Sequence, residues 1–324
     1  MMKNIGILNH KRVNLFTKMD LGTITIALLT LVLVIFLSIT TSTFLQFSNI
    51  YSILFGVSIQ FFAIIGFTYL MIMGELDMSV GAVYGLSGTV LGMLMMNGLP
   101  FALSLIITLL VCSLFGVISG FIVTKFRVNS MMVTIGMLSL IKGINWLYIR
   151  ELQGYFFPAS YRALIKFQVG KVHWTILFMI ISVITLEILL SRSTIFKKMY
   201  YVGANLETAR IYGIKSNRIK IITFGISSFT AAIGGILATS RIMHSDVTTG
   251  ENLEFLMITA AVLGGASLFG GKGSIMKSVF GLIFLAVVFN GMIIFKIDPF
   301  IQQVIVGFIL IVAVFVDTRL NKRV

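Results

Sequence analysis

The sequence predicts an all-α polytopic membrane protein with about ten transmembrane helices and both termini in the cytoplasm. Three observations carry that prediction. The 324 residues are 58% hydrophobic and only 11% charged, and apolar runs repeatedly approach the roughly 20 residues a helix needs to cross a bilayer. The 25 Lys and Arg, against 11 Asp and Glu, fall mostly in alternate connections between those runs, as the excess of cations in cytoplasmic loops requires. Glycines punctuate the runs and line single helix faces, as helices packed in lipid demand. Topology thus accounts for the formal charge of +14, which reports orientation and calls for no nucleic-acid partner.

Taken in order, the spans are 21–39, 50–73, 78–96, 101–124, 131–149, 173–190, 219–240, 253–270, 275–294 and 299–316. Residues 1–20, with Lys3, Lys11, Arg12 and Lys18, form a cytoplasmic N-terminus. The run from Leu21 to Ile39 is too long for a signal-peptide core and lacks a small-residue cleavage site, so it reads as a retained first span. Lys125 with Arg127, the loop at 191–220, Lys272 with Lys277, and the tail at 317–324 fall inside. The opposite side keeps Arg150, Arg162, Lys166, Lys171, Arg241 and Lys296, most of them in the loop from Arg150 to Val172 that contains Pro158. Glycines between the second and third spans, and between the eighth and ninth, allow broken or re-entrant helices. With no linker or soluble segment, residues 1–324 read as one transmembrane domain. The single Cys112 lies within a span, offers neither a disulfide nor a thiolate metal site, and reads as a packing residue.

The longest polar interruption is RSTIFKKMYYVGANLETARIYGIKSNRIK, Arg192 to Lys220, with seven cations and the single acid Glu207. Asn205 is placed to cap a short helix, Glu207 to sit in its first turn, and Gly213 to stop it. That makes about two turns, or ~10 Å, beneath the bilayer, available for a partner to push on.

The third span places Gly81, Gly85, Gly88 and Gly92 at spacings of four, three and four. At about 100° per residue these glycines fall within roughly 60° of arc, leaving one side of the helix as bare backbone. Gly116 and Gly120 repeat the device in the fourth span. Close helix packing is the simpler reading of such rows; lining a substrate path is the other. Ahead of the third span stands GELDMSVG. Glu75 and Asp77 are two residues apart and point in different directions on a helix, which argues against paired acid–base work. Asp77 reads as the N-cap of the glycine-faced helix or, with Ser79, as a contact on the substrate path.

On the outer side RIMHSDVTTGENLE gathers Arg241, His244, Asp246, Glu251 and Glu254. It lacks the spacings of a zinc hydrolase, and a polar rim that receives a soluble partner or substrate is the better reading. LGGASLFGGKGS fails as a phosphate loop: counting back from Lys272 puts Ala266 at the first glycine position, and Gly273 follows the lysine. It reads as a tight or re-entrant turn in which Gly264, Gly265, Gly270, Gly271 and Gly273 supply dihedrals that other residues resist.

Three blocks, GELDMSVG, VGANLETARIYGIKSNRIK and LMITAAVLGGASLFGGKGSIMKSVFG, together resemble the permease subunits of bacterial ATP-binding-cassette importers for ribose, xylose, galactose and related small sugars, including the autoinducer-2 importers. The resemblance runs in order over roughly residues 50 to 320. It implies a transport subunit that is not itself an enzyme, set in the cell (inner) membrane and coupled to cytoplasmic ATPases that hold ATP and magnesium. It also implies an extracytoplasmic binding protein and a second permease, either a copy or a paralogue. Residue by residue it points to Asn205, Arg210, Gly213 and Ile214 as the ATPase-docking segment, in which Glu207 also lies, and to Asp77 and Ser79 in the first block. Three departures stand out: Glu75 where the family has glycine, Glu207 with Thr208 where many members have two alanines, and Lys277 where glycine is common. The first leaves Glu75 either altering the substrate path or facing water. The rival classes are a self-contained secondary transporter or channel driven through Glu75 or Asp77, and an intramembrane enzyme built on the outer acids. Scarce intramembrane ion pairs count against the one and missing catalytic spacings against the other.

Overall fold

A computed structural model describes residues 21–152 and 157–321. Apart from one two-residue hairpin the architecture is helical. The helices α1 (Leu21–Thr40), α2 (Phe47–Ile72), α3 (Val80–Met96), α4 (Phe101–Phe126) and α5 (Ser130–Leu152) make up the first half. A connection follows with α6 (Ala159–Lys166), β1 (Gln168–Val169) and β2 (Val172–His173). Then come α7 (Trp174–Arg192), α8 (Thr194–Ala204), α9 (Leu206–Ile211), α10 (Ser216–Ile242), α11 (Leu253–Leu263), α12 (Ile275–Ile294) and α13 (Pro299–Asn321). Seven of these, α2, α4, α5, α7, α10, α12 and α13, are long and apolar enough to cross a membrane. Residues 1–20 and the last part of the tail lie outside the described residues.

The eighth span is the main correction. The sequence counts 253–270 as a span while reading the glycines from Gly264 onward as a turn, and the turn prevails: helix α11 has only 11 residues, Leu253–Leu263. That is ~16 Å, about half of the hydrocarbon thickness. Gly264 to Ser274 is irregular, with positive φ at Gly265, Gly270 and Gly271. Alternating glycines favour this turn over further helix, since they adopt left-handed dihedrals without the Cβ clash. The gap between α2 and α3 is likewise a break and not a simple cytoplasmic loop.

Helix α10, 27 residues and ~40 Å long, is the column on which the others stack. Its surface is unusually lean: Gly225, Ser227, Ser228, Ala231, Ala232, Gly234 and Gly235 are all small, and all are buried. Each neighbour meets it with small residues of its own. A Cβ on Gly66 of α2 would collide with the Ser227 backbone, on Gly88 of α3 with the Thr239 side chain, and on Gly116 of α4 with the Phe224 carbonyl. A Cβ on Gly235 would strike the Tyr84 carbonyl in turn. In lipid, where no hydrophobic drive presses helices together, such backbone proximity provides the dispersion contact that holds them.

That connection is fixed to the C-terminal end of α10. The Phe157 N–H donates to the Met243 carbonyl at 3.0 Å, the Tyr161 hydroxyl to Ile236 at 3.2 Å, and Ser240 back to Tyr161 at 2.9 Å. Gly88→Val should therefore lower the melting midpoint of the detergent-solubilised protein or abolish its yield, with a cost of at least the ~1–3 kcal/mol of ordinary overpacking. Gly136→Val, where no atom lies within 4 Å of the new Cβ, should leave both unchanged.

Candidate functional site

Two regions hold polar groups that ordinary helix packing does not explain. The first is a junction at the end of the molecule where α8 and α9 lie. There α2 ends at Ile72 and the break Met73–Ser79 begins, turned by Gly74 with a φ of +72°. The carboxylate of Asp77, fully buried, accepts from the Ser79 N–H at 3.0 Å and the Ser79 hydroxyl at 2.5 Å. It also accepts from the Ser227 hydroxyl of α10 at 3.1 Å. Glu75 is ion-paired with Lys220 near the start of α10. From α5, Ser130 accepts the Leu76 N–H at 3.2 Å and Thr134 the Met78 N–H at 2.9 Å. Backbone groups released by the break are thus returned to side chains, as a lipid-surrounded protein requires.

The second break, Gly264–Ser274, meets the first directly. The Gly271 N–H donates to the Ile72 carbonyl at 2.8 Å, so the free carbonyl end of α2 is closed by the glycine turn. Gly203 at the end of α8 lies against that same carbonyl, too close for a Cβ. Tyr200 of α8 donates to the Gly273 carbonyl at 2.8 Å; burial, with the Glu187 carboxylate nearby, raises its phenol above the ordinary value and keeps it a donor. Glu187 of α7 accepts from the Ser274 hydroxyl at 2.9 Å and the Met276 N–H at 3.2 Å, placing an anion at the N-terminus of α12. One short helix thus touches both breaks.

Beyond α8, the Asn205 side chain accepts the Thr208 N–H at 2.9 Å as the N-cap of α9. Glu207 sits in the first turn, and Arg210 in the last reaches Asn217 at 3.4 Å. Gly213 has φ +75°, letting the Ile214 N–H return to the Ala209 carbonyl at 3.0 Å. Ile214 packs against the core, whereas Ile211 and Tyr212 are 84% and 81% exposed.

The second region is a cavity of about 1010 Å³ between α2, α11, α12 and α13. Its walls are mainly apolar, with a few polar groups, Gln60, Tyr84, Arg241, Glu251, Asn290 and Gln303. That is the composition of a ligand-sized site whose orientation is set by a few polar contacts. At one edge Arg241 lies over the Phe55 ring at 5.1 Å, and His173 stacks on the same ring at 4.2 Å.

Residues 49–314 match the family described as the permease component of branched-chain amino acid transport systems. The chain belongs to that permease family. It is 30% identical over 260 residues to the autoinducer 2 import system permease protein LsrC of Photorhabdus luminescens, covering 79% of this chain and 78% of the relative. It is 27% identical over 290 residues to the ribose import permease protein RbsC of Bacillus subtilis, covering 89% and 90% of the two chains. With the RbsC of Haemophilus influenzae the identity is 29% over 297 residues, covering 90% and 92%. No solved structure matches this chain. The permease is a multi-pass membrane transport subunit and not an enzyme, and the likeness read from three sequence blocks extends over most of its length.

Several sequence expectations need relocation. Ser79, not Asp77, occupies the N-cap position of α3, and it makes no capping hydrogen bond from its side chain. Asp77 instead holds the turn ahead of the helix. Glu75 neither faces water nor lines the cavity, because Lys220 neutralises it. Gly81, Gly85, Gly88 and Gly92 lie outside the cavity lining and are filled by neighbours, Gly81 by Gly250 and Glu254, Gly85 by Thr249, Gly92 by the Phe157 ring. The outer acids do not form one rim. Glu254 is 2% exposed against α3; Arg241 and Glu251 line the cavity; Asp246 accepts the Thr248 N–H at 2.9 Å, and His244 is exposed near it. Helix α8 and most of the cavity lining had no sequence signal, because both depend on which distant helices meet. Replacing Asp77 by Ala should orphan the Ser79 N–H and destabilise the permease by about 1–3 kcal/mol, read as a lower thermal midpoint in detergent; Asp77→Asn, which keeps an acceptor, should lose less.

Proposed function

We propose that this permease is the membrane-spanning subunit of an ATP-binding-cassette importer that brings a small sugar or sugar-like solute into the cell. The solute class rests on the relatives, whose names specify ribose and autoinducer 2 import. In this reading the chain makes ten crossings, α1 and α3 among them and the eighth built from α11 together with the irregular stretch that follows it, with both termini in the cytoplasm. The loop at 191–220 is cytoplasmic, as its seven cations require. Cytoplasmic ATPases hold ATP and magnesium and dock on Asn205, Glu207, Arg210, Gly213 and Ile214, joined by the exposed Ile211 and Tyr212. A second permease, a copy or a paralogue, completes the membrane assembly. An extracytoplasmic binding protein delivers solute over Arg241, His244, Asp246 and Glu251.

One observation carries the proposal. The segment on which Ile211 and Tyr212 are exposed continues, through Gly203 and Tyr200, into contact with both helix breaks. A rigid push on α9 therefore reaches the two places where the membrane helices are interrupted. Those interruptions are the hinges by which α3 and α12 change tilt. The solute path is the cavity between α2 and α11–α13, whose few polar groups suit a neutral polyhydroxylated molecule held weakly enough to leave. The glycine row of α3 serves packing beside that path.

Gly213→Val places a β-branched residue at a left-handed φ. In cells carrying the complete system it should reduce both co-purified ATPase and uptake of labelled ribose or autoinducer 2 by about tenfold or more. Unchanged values for both would remove the coupling assignment. Tyr212→Cys on a Cys112→Ser background should react with an impermeant maleimide in inside-out vesicles and not in intact cells; the reverse pattern would overturn the orientation.

A further inference from the structure

Asp77 and Glu75 both reach from the first helix break to α10, but at different heights. Asp77 is bound to Ser227, Glu75 to Lys220, and the two α10 residues are seven apart, about 10 Å along the axis. The lower contact is the unusual one. The side chains of Glu75 and Lys220 are only 10% and 13% exposed. A charge pair in such surroundings forms at a high desolvation cost, and removing either partner strands the other. It is also badly placed to serve the fold alone, since α2, α3 and α4 already hold α10 by close backbone packing. Its position is mechanical. Lys220 lies on the first turns of α10, seven residues beyond Gly213 at the end of α9, while Glu75 is one residue from the φ-positive hinge Gly74.

We propose that the Glu75–Lys220 ion pair is a coupling latch, by which displacement of α9 and the base of α10 is transmitted to the break between α2 and α3. The latch rests on the reading of the chain as an ATP-driven permease. Glu75 and Lys220 are positioning residues: neither lines the cavity, and neither belongs to the docking set. The ammonium draws the Glu75 carboxylate, and with it Gly74 and Leu76, whenever the start of α10 tilts. Asp77, tied to Ser227 one and a half to two turns further on, acts as the pivot. Two ties at different heights turn a tilt of α10 into a rotation of the intervening backbone, where one tie would only drag it.

The test reads movement of the break directly. Cys112 is fully buried, so a Cys112→Ser chain carrying Leu76→Cys has one reporter thiol within the break, half-buried in the resting structure. The complete assembly, with its ATPases, is reconstituted and labelled with N-ethylmaleimide before and after trapping with ATP and vanadate. The expected result is a change of about tenfold in labelling rate on trapping, within the usual range of an allosteric coupling. The double variant Glu75→Gln with Lys220→Met removes the pair without leaving a lone charge, so it should keep its fold and its bound ATPases but lose that change. The exchanged pair, Glu75→Lys with Lys220→Glu, should recover it at least in part.

If the neutral double variant responds to trapping as the parent does, the latch is overturned while the permease reading stands. If the parent chain itself shows no labelling change although ATPases are bound, latch and reading fall together. If the double variant loses the change and the exchanged pair restores it, transmission through the ion pair is established, because a merely stabilising pair would leave the trapped-state response intact.

Discussion

The hydrogen bond from the Gly271 N–H to the Ile72 carbonyl is the constraint around which the inner half of this molecule is arranged. A helix that stops inside or at the edge of a bilayer exposes backbone groups that no solvent satisfies, at a cost of several kcal/mol each. The permease has two such stops, and each closes the other. Close approach is possible only because Gly203, Gly270 and Gly271 present no side chains at the contact. Everything else near the junction, the Ser130 and Thr134 hydroxyls, the Tyr200 phenol and the Glu187 carboxylate, supplies partners for what the two breaks leave over.

This arrangement explains why the permease combines a rigid part with a deformable one. Helix α10 packs against α2, α3 and α4 through glycine, serine and alanine, where a single added methyl meets backbone atoms. Such a surface has little freedom to slide, since interiors packed to this density switch between arrangements instead of stretching. The breaks are held by hydrogen bonds to side chains on several different helices. Those bonds exchange partners at small net cost, each being worth about 1 kcal/mol. Motion driven from outside the membrane should therefore collect at the breaks and leave the α10 column intact.

How much of this was readable in the sequence follows the range of the interactions concerned. The cap at Asn205, the Gly213 stop and the left-handed glycines of the second turn involve contacts within a few residues, and their signatures stand in the local sequence. Nine of the ten apolar runs correspond closely to helices for the same reason: length and hydropathy are local properties. The eighth run failed because an apolar stretch that is buried in protein looks the same as one that faces lipid. Only the glycine spacing hinted that the helix ends at Leu263. From the sequence Asp77 reads as the N-cap of α3, a position that Ser79 occupies; its partner Ser227 lies 150 residues away, and no periodicity announces a contact at that range. The pairing of Glu75 with Lys220 was invisible for the same reason, although both residues had been singled out separately, one as a departure from glycine and the other as a topogenic cation.

The cavity illustrates a further limit, and a division of labour. Its polar groups come from α2, α3, α10, the turn before α11, α12 and α13, so no stretch of sequence carries them as a motif. A dense local cluster would have been legible, but it would also bind too well: a path that must release its solute in every cycle is better served by scattered single contacts on an apolar wall. Tight recognition then has to occur elsewhere, on a component that need not let go until it docks. A transport subunit of this kind should accordingly show strong local sequence signals where it is mechanically driven and weak ones where it touches solute. Under the proposed function, that is the contrast between the block around Asn205 and Gly213 and the diffuse lining of the cavity.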